Sequence, residues 1–325
     1  MNESLRNVRV GVWGLGRHAR RRILPALRAS SKTSLVGVTT RDQVVAQEEA
    51  DRYKCRVWVT PEDMLRDSDV DAIYISTPTG LHVSQGMMTL GAGKHLWCEK
   101  PLATTLLEAQ QLSEASRRNG LALCEGLMYL YHPHFATVKQ IVSAASFGAI
   151  LGVRSQFGLP PLQQPGFRFN HELGGGALLD LAPYPLSAVL ELFDRPMEVV
   201  ESYVGGGENK YDVDLYGHAL LSTVDDRVPA YLEWGYQRAY RNEISVWGEY
   251  GSIHSDFIFS KSVDHQPTVA LRDKHGHMEE IEVAPADSFV LMFDAFSEVV
   301  FDEALREDSR QMISLRASYL QRLRS

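Results

Sequence analysis

Apolar residues in the first part of the chain fall into short runs separated by longer stretches with helical spacing. The runs predict strands at Val8–Trp13, Ser34–Thr39, Ala72–Ser76, His95–Pro101 and Leu121–Glu125, the fourth with Lys100 and Pro101 at its carboxyl end. Strands that alternate with helices are typical of a doubly wound parallel sheet. We therefore predict an α/β domain over residues 1–127.

The pattern changes after this region, and residues 128–325 are expected to form a second domain. A helix around Phe135–Ala145 and a strand at Ile150–Phe157 precede an irregular loop, Pro160–Glu172. Helices are expected at Ser288–Glu303 and Asp308–Leu323. Alternation typical of half-exposed strands is found at Glu198–Val204, Asp212–Val224, Ala230–Tyr236, Glu243–Trp247, Val269–Arg272 and Glu279–Val283. The second domain is therefore predicted to be α+β, with a large and mostly antiparallel open sheet.

Local signals define several helix boundaries. Thr60–Asp63 combines an N-cap, a proline and acidic residues, so a short helix should begin there. Thr105–Glu108 is a capping box whose helix should end at Asn119–Gly120. Pro25 should kink the first helix.

A glycine-rich turn joins the first strand to the first helix. Gly14 permits the tight turn, Gly16 lets the backbone approach a pyrophosphate, and Ala19 keeps the helix close to the strand. The motif alone is weak, but its position between a strand and a helix is the context that dinucleotide binding requires. We therefore predict a Rossmann domain whose cofactor contacts this turn through Gly14, Leu15, Gly16, Arg17 and His18.

The end of the second strand bears on the choice of cofactor. An NAD-preferring site usually has an acidic residue here, whereas this chain has Thr39, Thr40 and Arg41. Two hydroxyls and a guanidinium suit a 2′-phosphate. We expect NADP(H) to be preferred and NAD(H) to be possible. Asp42 weakens this inference slightly, and an exposed Arg41 without a ligand is the alternative.

Two further strand ends should face the same ligand, because ligands of open parallel sheets bind at the carboxyl ends of the strands. The fourth strand delivers Glu99 and Lys100, followed by Pro101. The third strand leads to the loop Thr77–His82, which should lie along the cofactor. From these ends we expect cofactor contacts from Thr77, Pro78, His82, Glu99 and Lys100.

Composition excludes several classes of protein. The chain has 325 residues, 44% hydrophobic and 23% charged, and a net charge of −8, which argues against a nucleic-acid surface. No apolar run approaches the roughly 20 residues of a membrane span, and Met1–Arg6 lacks the apolar core of a signal peptide. We expect a cytoplasmic protein without membrane or nucleic-acid partners.

Metal and disulfide chemistry is not expected either. The chain has three cysteines, Cys55, Cys98 and Cys124, without a close pair, which fits a reducing compartment. His132–His134 lacks helical metal-ligand spacing, and His275–His277 is typical of a hairpin turn. We assign no metal site.

Three motifs in this order carry a resemblance over nearly the whole chain. They are the glycine turn, Glu99–Pro101 at a strand end, and Gly174–Tyr184 with its triple glycine. Together they resemble the glucose-fructose oxidoreductase and inositol dehydrogenase family, often called Gfo/Idh/MocA. The resemblance implies a Rossmann domain, a C-terminal α+β domain, a nicotinamide cofactor, sugar or cyclitol substrates, and homodimers or homotetramers.

The resemblance also assigns residues. Lys100 matches the catalytic lysine, with a cis bond to Pro101, and Asp180 and Tyr184 match the second motif. A tyrosine at the latter position is similar to the sugar-nucleotide 3-ketoreductases, whereas inositol dehydrogenases usually carry histidine. Ala182 and Pro183 replace a glycine-containing turn common in the family, which puts the reach of Tyr184 in question.

These residues suit the reduction of a ketone. Tyrosine, with an ordinary pKa near 10, can donate a proton, and Lys100 can lower that pKa or stabilise a developing alkoxide. Asp180, one helical turn before Tyr184, should share its face and hold Lys100 or a sugar hydroxyl. Arg168 can contact a sugar or a diphosphate, or serve as a stacked structural arginine. The triple glycine should let a ligand approach the helix start.

We therefore predict an NADP(H)-dependent oxidoreductase acting on a secondary alcohol or ketone of a sugar, plausibly a nucleotide-linked 3-keto sugar. The catalytic residues are Lys100, Tyr184 and Asp180, and the substrate is bound by Arg168, Asp180 and Tyr184. Two alternatives stay open: a non-catalytic cofactor-binding sensor, and a nicotinamide-dependent glycosidase of the same fold. The sugar, the carbon attacked and the direction of the reaction are left open.

Overall fold

The computed structural model describes residues 7–163, 166–206 and 211–324. The expectation for Met1–Arg6, and residues 164–165 of the predicted loop, lie outside the described residues. The described chain divides into two compact units. Among the described residues, the first unit comprises 7–127 with 289–317, and the second comprises those of 128–288 with 318–324.

The first unit contains a parallel sheet of six strands in the order β3-β2-β1-β4-β5-β6. The strands are β1 Val8–Trp13, β2 Thr33–Thr39, β3 Arg56–Val57, β4 Ala72–Ile75, β5 His95–Glu99 and β6 Leu123–Gly126. The helices up to Leu127 are α1 Leu24–Ala29, α2 Gln43–Tyr53, α3 Pro61–Arg66, α4 His82–Gly91 and α5 Leu106–Arg118. The doubly wound sheet is confirmed, and the two-residue strand β3 is the element that the apolar pattern missed.

The predicted helix boundaries follow the capping chemistry. The Thr60 hydroxyl accepts the Asp63 amide at the start of α3. Thr105 and Glu108 form both bonds of the capping box at α5. Instead of a simple kink at Pro25, a wide turn at Ala19–Ile23 precedes α1. That wide turn accommodates the missing N–H and the ring of the proline.

The second unit contains a sheet of eight strands in the order β14-β13-β12-β11-β7-β10-β9-β8. All neighbouring pairs are antiparallel except β7 with β10. The strands are β7 Ile150–Gly158, β8 Met197–Gly205, β9 Tyr216–Thr223, β10 Pro229–Gly235, β11 Arg241–Gly248, β12 Gly251–Asp256, β13 Thr268–Asp273 and β14 Met278–Glu282. The mostly antiparallel sheet is confirmed, and β12 is a strand that the sequence pattern missed.

Buried and exposed side chains alternate along these strands, so one face of the sheet is buried. Val153, Leu232, Val246 and Ile253 are almost fully buried, whereas the other face exposes Trp247 and its neighbours. The remaining helices are α6 Pro133–Val142, α7 Ala177–Asp180, α8 Pro183–Phe193, α9 Ser288–Phe301 and α10 Glu303–Arg324.

The C-terminal helices correct the predicted domain limits. Residues 289–317 were assigned to the second domain, but they group with the first unit. The reason is apolar packing: the Phe293 ring contacts Tyr74 and Trp97 at centroid distances of 5.2 and 5.9 Å. A buried ion pair joins Arg316 to Glu125 at 2.8 Å. Residues 289–317 therefore contribute to the core of the first unit, although they follow the second unit in sequence.

Among the described residues, no single helix has both the length and the apolar composition of a membrane span. Only a bent pair, His171–Asp180 with Pro183–Phe193, meets the two criteria together.

Candidate active site

The glycine turn is built differently at its two glycines. Gly14 has φ of +100°, and a Cβ there would lie 2.8 Å from the Ser76 carbonyl oxygen and from Thr77 Cγ2. Its amide donates to the Thr39 carbonyl at 2.9 Å. A side chain at this position is therefore excluded by conformation and by space.

Gly16 instead borders open space. A Cβ there would meet nothing within 4 Å, and the helical turns that follow begin at Ala19. Leu15 is buried in the core, whereas Arg17 and His18 are exposed. An open glycine before a helix start, where the first backbone amides of the helix lack intrahelical partners, fits the pyrophosphate of a dinucleotide.

The side chains after β2 do not all remain available for a 2′-phosphate. The Thr39 hydroxyl is buried and donates to the Trp58 carbonyl at 2.9 Å. The Thr39 hydroxyl proton is therefore already donated to a backbone carbonyl of the protein, and contact of Thr39 with a 2′-phosphate stays a prediction. Arg41 is exposed and Thr40 partly so. The Asp42 carboxylate caps α2 by accepting hydrogen bonds from the amides of Val44 and Val45. The acidic side chain next to Arg41 in sequence therefore already has hydrogen-bond donors.

The loop after β4 is held to the loop after β5 by a buried histidine. The His82 ring nitrogens lie 2.9 Å from the carbonyl oxygens of Thr77 and Pro101. Burial lowers the pKa of His82, although these two carbonyls oppose the shift. This arrangement argues against direct contact of the His82 side chain with a nicotinamide. His82 instead fixes the backbone beside Lys100, while the Thr77 hydroxyl donates to Gln85 at 2.6 Å.

Glu99 is an internal anion at the end of β5. Its Oε1 accepts the Tyr74 hydroxyl at 2.6 Å and lies 3.1 Å from His18 Nε2. Burial would raise the pKa of Glu99, but the charge and hydrogen bond of His18, the Tyr74 hydroxyl and the Lys100 charge outweigh it and hold the pKa at about 2. Glu99 therefore links the glycine turn to the strand that carries Lys100. The bond from Lys100 to Pro101 is cis, as the resemblance implied.

In the second unit, Asp180 lies at the centre of a polar cluster. Its Oδ2 accepts Arg168 Nε at 2.7 Å and the Tyr236 hydroxyl at 2.8 Å. The charge of Asp180 raises the pKa of Arg168, and burial raises that of Tyr236. The cluster is therefore an ionised arginine and aspartate with a neutral tyrosine donor.

Asp180 and Tyr184 do not share one helix, contrary to the prediction. Asp180 ends α7, Tyr184 is in α8, and the chain bends by 47° between segments His171–Asp180 and Pro183–Phe193. Pro183 supplies no N–H to continue the first helix, and it occupies the first position of the second, where proline is favoured. The spacing of four residues therefore does not place these side chains on a common helical face.

Aromatic rings surround Tyr184. Its ring lies 4.9 Å from that of Phe157 and 5.7 Å from that of Phe259, measured between centroids. The Tyr129 hydroxyl donates to the Tyr184 carbonyl at 3.3 Å, and 9% of Tyr184 is exposed. The ring is therefore fixed by packing on the second unit.

Two residues of the triple glycine, Gly175 and Gly176, are in close contact with other parts of the protein. A Cβ at Gly175 would lie 2.7 Å from each of the carbonyl oxygens of Phe167, Arg168 and Asn170. A Cβ at Gly176 would overlap Asp214 Oδ1. These two glycines are required because the Arg168 loop and Asp214 pack directly on the backbone at the start of α7.

The structure thus assembles two sets of predicted residues. The first unit brings the glycine turn to Thr39, Thr77 and Glu99, and β5 ends at Lys100. The second unit brings Arg168 to Asp180, with Tyr184 on the next helix. The roles of these residues in binding and catalysis stay predictions.

Three residues of these sets were missed: Tyr74, Tyr236 and Asp214. Tyr74 on β4 and Tyr236, directly after β10, are nearly inaccessible to solvent. A buried tyrosine hydroxyl needs a hydrogen-bond partner, and both tyrosines follow or lie within apolar runs of the sequence. Asp214 accepts the Leu178 amide at 2.6 Å and replaces the N-cap side chain that Gly176 lacks.

One group of three metal-ligand side chains occurs in the described part of the chain: Glu243, His254 and Asp256. These residues lie on β11 and β12, and Glu243 is already paired with Arg241. The group is far from complete as a metal centre, and the assignment of no metal stays a prediction.

Comparisons with known proteins match both units. Residues 8–127 match the model described as "Oxidoreductase family, NAD-binding Rossmann fold", and residues 135–254 match the GFO/IDH/MocA C-terminal domain. The dTDP-3,4-didehydro-2,6-dideoxy-alpha-D-glucose 3-reductase of Saccharopolyspora spinosa is 32% identical over 290 residues, 89% of this chain and 86% of that protein. The enzyme of the same name from Streptomyces violaceoruber is 32% identical over 298 residues, 92% and 86% of the two chains.

A comparison with solved structures gives the same type of enzyme as these relatives. A 3-ketoreductase from Actinomadura kijaniata, solved in complex with NADP and TDP-benzene, superposes with a TM-score of 0.92 at 31% identity. The match covers 98% of this chain and 97% of that chain. This protein therefore belongs to the GFO/IDH/MocA oxidoreductase family.

Proposed function

We propose that this protein is an NADPH-dependent reductase of a thymidine-diphosphate-linked 3-keto sugar. One observation carries the proposal. Solved structures of the Actinomadura ketoreductase include variants with a substituted lysine and a substituted tyrosine, and those positions lie as far apart in its chain as Lys100 and Tyr184 do here. Lys100 directly follows β5, and Tyr184 lies in the first turn of α8.

The residues present fit NADP(H). The open cradle at Gly16 would receive the pyrophosphate, and Arg41 with Thr40 would receive the 2′-phosphate. The Asp42 carboxylate is hydrogen-bonded to the first amides of α2, so we do not expect it to repel that phosphate strongly. When bound, the cofactor supplies the hydride that reduces the carbonyl carbon.

The chain's own residues supply the proton and the electrostatic stabilisation. Tyr184 donates its phenolic proton to the carbonyl oxygen as negative charge develops there. The Lys100 ammonium stabilises that charge, and Asp180, held as an anion by Arg168 and Tyr236, accepts a hydrogen bond from a sugar hydroxyl. The packing of Tyr184 against Phe157 and Phe259 keeps its ring oriented before substrate arrives.

The proposal includes a homodimer formed through the open face of the second sheet, which can pair further into a homotetramer. Trp247, Tyr203 and Tyr231 on that face are 70%, 50% and 47% exposed. Large exposed aromatic side chains on an open sheet face favour association with another surface. We also propose a cytoplasmic location, because Cys55, Cys98 and Cys124 are free thiols, as expected in a reducing compartment.

Turnover with matched cofactors tests the proposal. Purified protein is supplied with a dTDP-linked 3-keto sugar and either NADPH or NADH, and cofactor absorbance is followed. We expect NADPH to be consumed well ahead of NADH. Replacing Tyr184 by phenylalanine should lower kcat by about 100-fold or more while leaving the Kd for NADPH unchanged.

Other outcomes would refute it. Lost NADPH binding in the Tyr184→Phe variant would show that Tyr184 acts on the cofactor rather than on the substrate. Release of the aglycone from a chromogenic glycoside, with no net change of cofactor, would identify a glycosidase instead. Binding of NADPH without turnover of any keto sugar would favour a sensor.

A further inference from the structure

The Arg168 guanidinium is anchored at one end. Its Nε donates to Asp180 Oδ2, whereas within the described residues its two terminal amino groups make no hydrogen bond. The side chain is 35% exposed, compared with 12% for Asp180. A guanidinium held through Nε presents a planar pair of donors on its opposite edge.

Buried aromatic residues around Asp180 hold this guanidinium in place. Tyr236, 2% exposed, donates its hydroxyl to the same Asp180 oxygen at 2.8 Å. The Phe169 ring stacks on Tyr236 at 5.1 Å, and the Phe167 ring lies 5.1 Å from the guanidinium carbon. The orientation of the arginine is therefore set by groups on both sides of it.

The backbone of Arg168 is fixed as well. Gly176 donates its amide to the Arg168 carbonyl at 2.9 Å, and Gly175 donates to the Asn170 carbonyl at 2.9 Å. The tight packing at Gly175 leaves no room for this loop segment to shift towards α7. A preorganised cation costs little further ordering when an anion binds.

The chemistry of this site favours a phosphate group. A bidentate arginine matches the geometry of phosphate oxygens, and charge-assisted bonds of this type are among the strongest in proteins. The charge of Asp180 raises the pKa of Arg168, so the arginine stays ionised at any working pH.

We propose that Arg168 binds the diphosphate of the nucleotide-linked substrate, and that Tyr236 is a positioning residue that sets the guanidinium through Asp180. The inference rests on the proposed function, since it assumes a nucleotide-linked sugar. It adds the chemical group that this chain recognises and the two residues that recognise it.

Ligand affinity tests the inference without turnover. The Kd values of dTDP and of thymidine are measured by calorimetry on the NADP-loaded enzyme. We expect Arg168→Gln to weaken dTDP by about 10-fold to 100-fold and to leave thymidine unchanged, since one charge-assisted phosphate contact is lost. Arg168→Lys keeps the charge without the planar fork, so it should lose part of that affinity and serves if the glutamine variant does not fold.

A double-mutant cycle separates positioning from structural support. Tyr236→Phe should weaken dTDP severalfold in the wild-type background and have no further effect in the Arg168→Gln background. Tyr319→Phe is the matched control, because Tyr319 is also buried and donates its hydroxyl to the Met197 carbonyl at 2.6 Å. The control should lose stability but keep the affinity for dTDP.

The outcomes distinguish this inference from the proposed function. Turnover of the dTDP-linked keto sugar by an Arg168→Gln variant that retains wild-type dTDP affinity would overturn the inference alone. A wild-type enzyme with neither dTDP binding nor turnover would overturn both. Equal loss of dTDP affinity in Tyr236→Phe and Tyr319→Phe would overturn the positioning role of Tyr236.

Discussion

Side chains at the cofactor end of the first sheet divide into those that bind their own backbone and those that face outward. Thr39 donates to Trp58, and Asp42 caps α2, so neither offers its polar group to a ligand. Arg41 is exposed beside them and makes no hydrogen bond to the described residues. We therefore expect Arg41 to be the side chain that binds the phosphorylated ribose of NADP(H).

Removing that charge should change cofactor preference. Arg41→Ala is expected to raise the KM for NADPH by about 10-fold or more and leave the KM for NADH nearly unchanged, since only NADPH carries the 2′-phosphate. Initial rates at varied concentrations of both cofactors measure this. Thr39→Val is the matched control: it should cost about 1 kcal/mol of stability without altering preference. A shift of preference in the control and not in the arginine variant would contradict the assignment.

Several residue roles were accessible from the sequence alone, and others were not. The glycine turn and Glu99–Pro101 are local patterns, so the chain itself carries them. Tyr236, directly after β10, contacts Asp180 across a separation of 56 residues, and no local sequence pattern indicates that contact. The hydrogen bond from the Thr39 hydroxyl to the Trp58 carbonyl likewise depends on tertiary structure, because the pairing of β2 with β3 brings Trp58 close to Thr39.

In the glycine turn, the structure shows why glycine is needed at one position and what it leaves open at another. Gly14 is required by the fold, because its φ is positive and a Cβ would collide with the loop after β4. Gly16 is not required by the fold, because its neighbourhood is open. Two glycines of one motif therefore serve different purposes.

Alanine substitutions should separate these purposes. Gly16→Ala is expected to leave the thermal unfolding temperature unchanged and to raise the Kd for NADPH by about 10-fold or more, because the added methyl enters the space for the pyrophosphate. Gly14→Ala is expected to lower stability by about 1 kcal/mol or more. Fluorescence titration with NADPH and thermal unfolding measure both. Unfolding of the Gly16 variant at lower temperature, with unchanged affinity, would contradict the account.

At the scale of elements, sequence patterns located most strands and helices but not their breaks. Pro183 marks the interruption between α7 and α8, whereas the four-residue spacing of Asp180 and Tyr184 predicted a single helix. β12 was missed because its polar residues Ser252, His254 and Asp256 lie on one face and do not form an apolar run. The grouping of α9 with the first unit depends on aromatic contacts over a long sequence separation, which periodicity does not reveal.

The stability of the whole molecule is tied to two buried histidines that begin α6. His132 and His134 are fully buried, and His134 Nε2 bonds the Ser255 hydroxyl at 2.6 Å. Burial lowers the pKa of His132 to about 4 and that of His134 to about 3, and the Lys261 charge adds to both shifts. The folded state therefore favours the neutral rings.

This predicts acid sensitivity with a defined direction. The ordinary pKa of 6.5 lies above both folded values, so the unfolded chain takes up protons first as pH falls. The stabilisation is complete above pH 6.5 and is lost between about 6.5 and 3, at up to roughly 1.4 kcal/mol per pH unit for each histidine. Urea unfolding from pH 7.5 to 4.5 should show the decline, and a His132→Asn, His134→Asn double variant should flatten it. An unchanged slope in that variant would contradict the assignment.

The open sheet face determines the expected assembly of the whole molecule. Trp247→Asp places a charge at the centre of that face and should shift the protein to monomer, measured by light scattering at micromolar concentration. Val59→Asp is the control, because Val59 is equally exposed, at 71%, but belongs to the first unit. Dissociation caused by the control alone, or a wild type that is monomeric, would contradict the proposed interface.

Transfer of an isotopic label tests the central claim most directly. A single turnover is run with a dTDP-linked 3-keto sugar and NADPH deuterated at the transferred position of the nicotinamide ring, and the product is analysed by mass spectrometry and NMR. The account predicts one deuterium on carbon 3 of the sugar, next to a new hydroxyl, and no such product from the Tyr184→Phe variant. Deuterium retained in the cofactor, or found at another carbon, would contradict it.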